Sequence, residues 1–454
     1  MGDGTVSIWT GLLLALACSG DEPKDAQPAE DTAPPEEAGD SEVDDSGSAD
    51  SGADGETGAP PDDTSADTGR TDTAKPEAQQ HLYLGDAARR LEAGVGGLVA
   101  ADWDADGDDD LLVTEMATGN YDWFFWVVAD GAAEGSDHAS AAYSTSHASM
   151  SEVLGVADVD GDGVDDPLFG ANRSGEDEPG WLSGAEPDLG YQSFTSDGSA
   201  RVVATAFGPF GAEVLSVVYS TDDGAEVLPG LGTGSTPATA WLDAGQASLD
   251  LADVDGDGLG DLGATGFDGV VAVHTSGFTG TRTASDAELL VTAGSPALEA
   301  THGDLDGDGV PDLVVLSDPG SPRVDLLGGA HTGSVDAAAV GFASAVASDA
   351  THVLHYVHVV DLDADGHDDL LLATSSTTNG VLAVHLGPLS GALLEDDAAV
   401  LVEGASSQGL AIGLAAATAD LAGDGQPGLH FGTGWTLYPA DSGLYSFAGG
   451  QLLP

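Results

Sequence analysis

Nine residues, Asp304-Leu305-Asp306-Gly307-Asp308-Gly309-Val310-Pro311-Asp312, place carboxylates at positions 1, 3, 5 and 9 of a loop with glycine at position 6. Leu313-Val314-Val315 follow at once. Side-chain oxygens in that number suit a hard divalent cation, and Ca²⁺ best, because it takes about six to eight oxygen ligands in a loose geometry. Gly309 fits a sharp turn at position 6, since glycine adopts φ > 0 without steric cost. Position 7, Val310, can then turn its backbone carbonyl to the ion. The pattern recurs as Asp102, Asp104, Asp106, Gly107, Asp110; as Asp158, Asp160, Asp162, Gly163, Asp166; as Asp253, Asp255, Asp257, Gly258, Asp261; and as Asp361, Asp363, Asp365, Gly366, Asp369. One such loop in so acidic a chain could be chance. Five, each with an apolar run close behind, could not.

The elements that must hold these loops are short and extended. Runs such as Leu98-Val99-Ala100, Val270-Val271-Ala272-Val273 and Val381-Leu382-Ala383-Val384-His385 lie between glycine-rich breaks, and no long 3.6-residue period occurs. This reads as all-β with many short strands. The loops begin at 102, 158, 253, 304 and 361, and the step from 158 to 253 is about twice the others. A degenerate copy fills that gap, with its start at 206 and Gly211 at position 6. Another begins at Asp420, with Ala422 and Gly428 where aspartates belong. Repeats of this length with about four strands each indicate propeller blades. Seven fill residues 81–454, and pairing of Leu82-Tyr83-Leu84 with Leu444-Tyr445-Ser446-Phe447 is expected to close the ring.

The five complete loops resemble those of the FG-GAP and VCBS repeats, the family that includes the integrin α-subunit head propeller. The resemblance covers about 370 residues and implies a seven-bladed β-propeller in which each loop joins the first two strands of a blade on one face. It implies about five Ca²⁺ ions, with Asp102, Asp158, Asp253, Asp304 and Asp361 as first ligands. Backbone carbonyls would come from Asp108, Val164, Leu259, Val310 and His367. No ion, or a weak one, is expected at Phe207–Gly211 and Asp420–Gly428. The helix-flanked EF-hand is excluded. It needs a glutamate at position 12, where this chain has Val113, Phe169, Ala264, Val315 and Leu372.

Charge narrows the partners. The formal net charge is −70, which excludes nucleic acid and anionic membrane surfaces as partners, since both need basic patches. The only lysines, Lys24 and Lys75, precede the repeats, so no P-loop or Schiff-base lysine lies within them. The apolar run Ile8–Ala17 is too short to span a bilayer but fits a signal-peptide core. Ala15-Leu16-Ala17-Cys18 resembles a bacterial lipobox, in which Cys18 is lipidated, and Ser19 after it favours the outer membrane. A secreted protein is the alternative. Residues 19–80 are acidic, poor in apolar groups and expected to be disordered, reaching roughly 45 Å or more from an anchor at Cys18.

Two further clusters bear on function. Tyr121, Trp123, Phe124, Phe125 and Trp126, with Trp103 at position 2 of the first loop, could stack on sugar rings, although alternate members should be core. His352, His355 and His358 have ligand-like spacing, but residues three apart on a strand point to opposite faces. No G-x-S-x-G, H-E-x-x-H or glycine-rich phosphate loop is present, and a non-enzyme is expected. The leading expectation is a monomeric, surface-tethered, calcium-binding propeller acting in adhesion to an extracellular protein or glycan. A polysaccharide-acting hydrolase or lyase on the same scaffold is one alternative, and a purely structural envelope protein another.

Overall fold

The computed structural model describes residues 80–87, 89–91, 95–103, 108–116, 123–128, 143–146, 152–170, 179–184, 190–194, 202–211, 213–221, 224–230, 240–243, 246–275, 277–293, 297–317, 323–329, 331–347, 353–375, 380–404, 412–421, 426–433 and 443–452. Cys18 and residues 19–79 of the acidic segment expected to be disordered lie outside them, and its last residue, Gln80, is strand. The described strands form seven sheets, and the chain is a seven-bladed β-propeller.

Blade 5 shows the plan. Ala297–Gly303, Asp312–Ser317, Arg323–Leu327 and Ala343–Val346 pair antiparallel in that order. Blade 1 starts at Val95, blade 2 at Glu152, blade 3 at Val202, blade 4 at Gln246, blade 6 at Val353 and blade 7 at Ile412. First strands of successive blades touch one another around the ring. Each carries a register shift near its start, as between Ala297 and Glu299 or Leu354 and Tyr356. Such a bulge adds twist and bends the strand, as an inner wall of small radius demands.

Second and third strands read as unbroken apolar runs, Leu313-Val314-Val315-Leu316 and Val381-Leu382-Ala383-Val384 among them. A blade is covered on both faces, so consecutive side chains are all buried, each facing a different neighbour. Phe125 and Trp126 show this directly. Phe125 packs with Val153 and Phe169 of blade 2, and Trp126 with Ala415 and Leu444 of blade 7. Seven apolar clusters result, one between each pair of adjacent blades, including blades 7 and 1.

Closure differs from the expected pairing. Arg89–Leu91, not Leu82–Leu84, lies antiparallel to the C-terminal strand, with Arg90 opposite Tyr445. Gln80–Tyr83 instead runs parallel to Val400–Glu403 of blade 6. The reason is a crossover built into the repeat. In blades 4, 5 and 6 the chain leaves the third strand, adds a parallel fifth strand to the preceding blade (Gly280–Arg282, Gly333–Asp336, Gly391–Leu394), makes one helical turn and returns as the fourth strand. Residues 80–91 supply this half-repeat to blade 7 from the other end of the chain. Ser285-Asp286-Ala287 and Asp396-Asp397-Ala398 match Gly85-Asp86-Ala87. In two of these turns the aspartate accepts a backbone N–H three residues back, Tyr83 to Asp86 at 2.8 Å and Thr283 to Asp286 at 2.9 Å.

Candidate metal centre

Each complete loop joins the first and second strands of its blade. In blade 5 the pairing ends at Gly303–Asp312, and the nine residues from Asp304 to Asp312 fold around Asp304. Its Oδ1 accepts the N–H of Gly307 and its Oδ2 the N–H of Gly309, both at 2.9 Å. Asp306 accepts from Asp308 N–H at 3.0 Å, and Asp308 from Val310 N–H at 2.8 Å. The same set of bonds recurs around Asp158. It recurs around Asp253 and Asp361 with small differences. Each backbone N–H that turns inward meets a carboxylate, which fixes the acids side by side.

The described glycines at position 6, Gly163, Gly258, Gly309 and Gly366, have φ of 85–91°, as the sequence required. Position 4 is also left-handed: Gly161, Gly256 and Gly307 have φ of 72–80°, and Ala364 has φ 57°. That second requirement is legible as D-G-D-G in three loops.

The loops bring carboxylate oxygens together. Those of Asp158, Asp160 and Asp166 lie within 4.8 Å of one another, as do those of Asp253, Asp255 and Asp257, of Asp304, Asp306 and Asp308, and of Asp361, Asp363 and Asp365. These are donor sets that could hold a metal ion. Asp162 lies in its loop but outside its cluster. The position-9 aspartates have a second task. Asp110, Asp166, Asp261, Asp312 and Asp369 are buried, and each accepts the backbone N–H of position 2 at 2.8–3.0 Å. The other oxygen of Asp166 takes Gly184 N–H, and that of Asp369 takes Gly387 N–H. Asp312 Oδ1 and Asp253 Oδ1 are buried without a hydrogen-bond partner. Position-7 residues Val164, Leu259, Val310 and His367 are held through their N–H groups by position 5.

Electrostatics mark the strain of gathered charge. Burial first, then Asp306 and Asp304, push Asp312 up to about 7. Burial, with Asp363 and Asp361 adding to it, does the same to Asp369. Asp166, Asp255 and Asp363 are raised too, mainly by burial.

In blade 1, Asp102 and Asp108 flank residues 104–107, so Asp104 and Asp106 lie outside the described residues. In blade 7 the register is as read, with Ala419 opposite Gly428. Blade 3 corrects the reading. Phe210 pairs with Glu213, so residues 206–210 are strand and only Gly211 and Ala212 connect the two. Gly211 occupies the place of position 1, not 6. A hairpin this tight needs φ > 0, and Gly211 has φ 58°. The blade has no nine-residue loop.

The aromatic run is core where it is described. Phe125 and Trp126 are fully buried, and the Trp103 ring meets Phe125 edge-on with centroids 6.1 Å apart. Tyr121 and His352 fall outside the described residues. His355 is the bulged residue of its strand and His358 is buried. A buried acid that sequence patterning missed is Glu299, on the first strand of blade 5. Burial raises it well above the usual carboxylate range, and the charges it feels are those of Asp250 and Glu152. It was invisible because a single acid in an apolar strand leaves no periodic mark.

No curated protein matches this chain. Two solved structures described as BBS1N in complex with ARL6DN, one soaked with lead and one with mercury, are similar to it at 9% and 10% identity. Each match covers 79% of this chain and 93% of theirs, with TM-scores of 0.47 and 0.46. Residues 304–372, from the first aspartate of the blade 5 loop to the second strand of blade 6, match the family model of the FG-GAP-like repeat.

Proposed function

We propose that the chain is an exported, calcium-binding β-propeller, tethered at the cell surface through Cys18, that serves as a ligand-binding module for an extracellular protein or glycan. One observation carries the calcium reading: four loops each gather three aspartate oxygens within 4.8 Å, an all-oxygen donor set suited to a hard cation. Asp253 Oδ1 in the blade 4 loop and Asp312 Oδ1 in the blade 5 loop are buried without a hydrogen-bond partner, which suits a cation at each of those two loops. Asp102, Asp104, Asp106 and Asp110 would complete a fifth site. Bound calcium would offset much of the charge of each cluster and stabilise the folded blades.

Among ligands a protein is the first to test, because the half-buried Trp103 ring packs edge-on against Phe125; exposed Trp241 and Phe267 keep a glycan as the second. The test is binding of the full chain to glycan arrays and to displayed surface proteins, once with Ca²⁺ and once with chelator. Calcium-dependent capture of a protein ligand supports the reading. Turnover of a polysaccharide, or no ligand of either kind, would replace it with the enzyme or the structural alternative.

A further inference from the structure

Adjacent loops are fastened to one another, and one residue does this from outside the acid clusters. Asp368, at position 8 of the blade 6 loop, accepts the backbone N–H of Asp304 in blade 5 at 2.7 Å. Its own N–H donates to the Asp304 carbonyl at 3.1 Å. Leu389 N–H, also in blade 6, donates to the Leu305 carbonyl. A Cβ on Gly307 would lie 2.9 Å from the His367 ring, and one on Gly303 would lie 2.7 Å from Asp368 Oδ2, so glycines make room for both side chains. Blade 6 therefore grips residues 303–307 of blade 5, and Asp304 is the residue around which that loop folds. The exchange is a repeated device. Asp109, at position 8 of blade 1, accepts Asp420 N–H in blade 7 at 2.8 Å and donates to its carbonyl. At Gly260 and Gly211 two backbones make it alone.

We propose that Asp368 is a positioning residue for the cation site of the neighbouring blade. It holds the Asp304 backbone so that Asp304, Asp306 and Asp308 converge, while the site of its own loop, at Asp361, Asp363 and Asp365, feels its carboxylate only as a nearby charge. The proposal rests on the calcium reading above. A charge-assisted bond to a backbone N–H is among the stronger ones, so loss of its charge alone should weaken the blade 5 site about tenfold.

The test is calorimetric titration of the full chain with Ca²⁺, with Asp368→Asn placed in two backgrounds. Where Asp361→Asn and Asp363→Asn have disabled the blade 6 site, Asp368→Asn should weaken one remaining site about tenfold. Where Asp304→Asn and Asp306→Asn have disabled the blade 5 site, it should weaken the blade 6 site much less, through loss of a charge near Asp361 alone. Asp368→Ala, which keeps no acceptor, should lose more than Asp368→Asn. Melting in chelator checks that each variant folds, and the asparagine series stands alone if the alanine variant does not. Equal losses in both backgrounds, or none in either, would overturn the proposal. A parent chain that takes up no Ca²⁺ would overturn the calcium reading and this inference with it.

Discussion

At the scale of single residues the loops hold like charges together, and the cost shows in their protonation. Asp312 and Asp369 stay protonated up to about 7 in the folded chain but titrate near 3.8 when unfolded. Between those values the folded state binds more protons, so ion-free stability falls as pH rises. Buried His274 and His385, lowered to about 4, act the other way below their unfolded value of 6.5. From about pH 6.5 to 8 the carboxylates prevail, and melting in chelator should drop across that window. With Ca²⁺ present the trend should reverse, because ligands must lose protons to bind. Glu299 is a second case. Glu299→Gln should raise the melting temperature, by a margin that grows with pH above 4.5, since the glutamine carries no charge to desolvate. A melting temperature unchanged at pH 8 would show that the acid costs the fold nothing. Ala364 holds φ 57° where the other described loops have glycine. Ala364→Gly should therefore stabilise by about 1 kcal/mol in chemical denaturation.

At the scale of elements, the N-terminal half-repeat and the C-terminal strand close the ring. Arg89–Leu91 is the outermost strand of blade 7, and Leu84, just before it, is buried with Phe431 and Tyr445 between blades 6 and 7. Leu84→Ala should cost about 2–4 kcal/mol in denaturant unfolding. A loss below 0.5 kcal/mol, by rough comparison with exposed sites, would mean that this segment does not lock the ring. The sequence pointed to closure by both termini but to the wrong strand, and the physics explains the error. Leu82-Tyr83-Leu84 looks like a core strand, whereas Arg89-Arg90 does not. An outermost strand is open to water, however, and carries no apolar signature; Arg90 instead lies over the Tyr445 ring, 5.5 Å from its centroid. The Asp-Ala pair shared by residues 86–87, 286–287 and 397–398 was the legible cue. The calcium-type loops were readable because their donors are fixed by chemistry at set spacing. The blade 3 hairpin was not, since a lost loop leaves no residues to read.

At the scale of the whole molecule, a chain of net charge −70 must fold against its own repulsion. Seven interblade cores supply the apolar drive, and a closed ring, in which every blade packs on two neighbours, lets each stabilise the next. Ions that bind only the folded form add about 2.7 kcal/mol per site at a hundredfold excess over Kd. Ca²⁺ should thus raise the melting temperature well beyond what ionic strength alone achieves. The central claim is that the aspartate loops are calcium sites, and calorimetric titration of the full chain with Ca²⁺ at constant ionic strength tests it most directly. The account predicts about five sites, one per complete loop, with proton release that grows as the pH falls below about 7. Heat of dilution alone, with no saturable uptake, would contradict it.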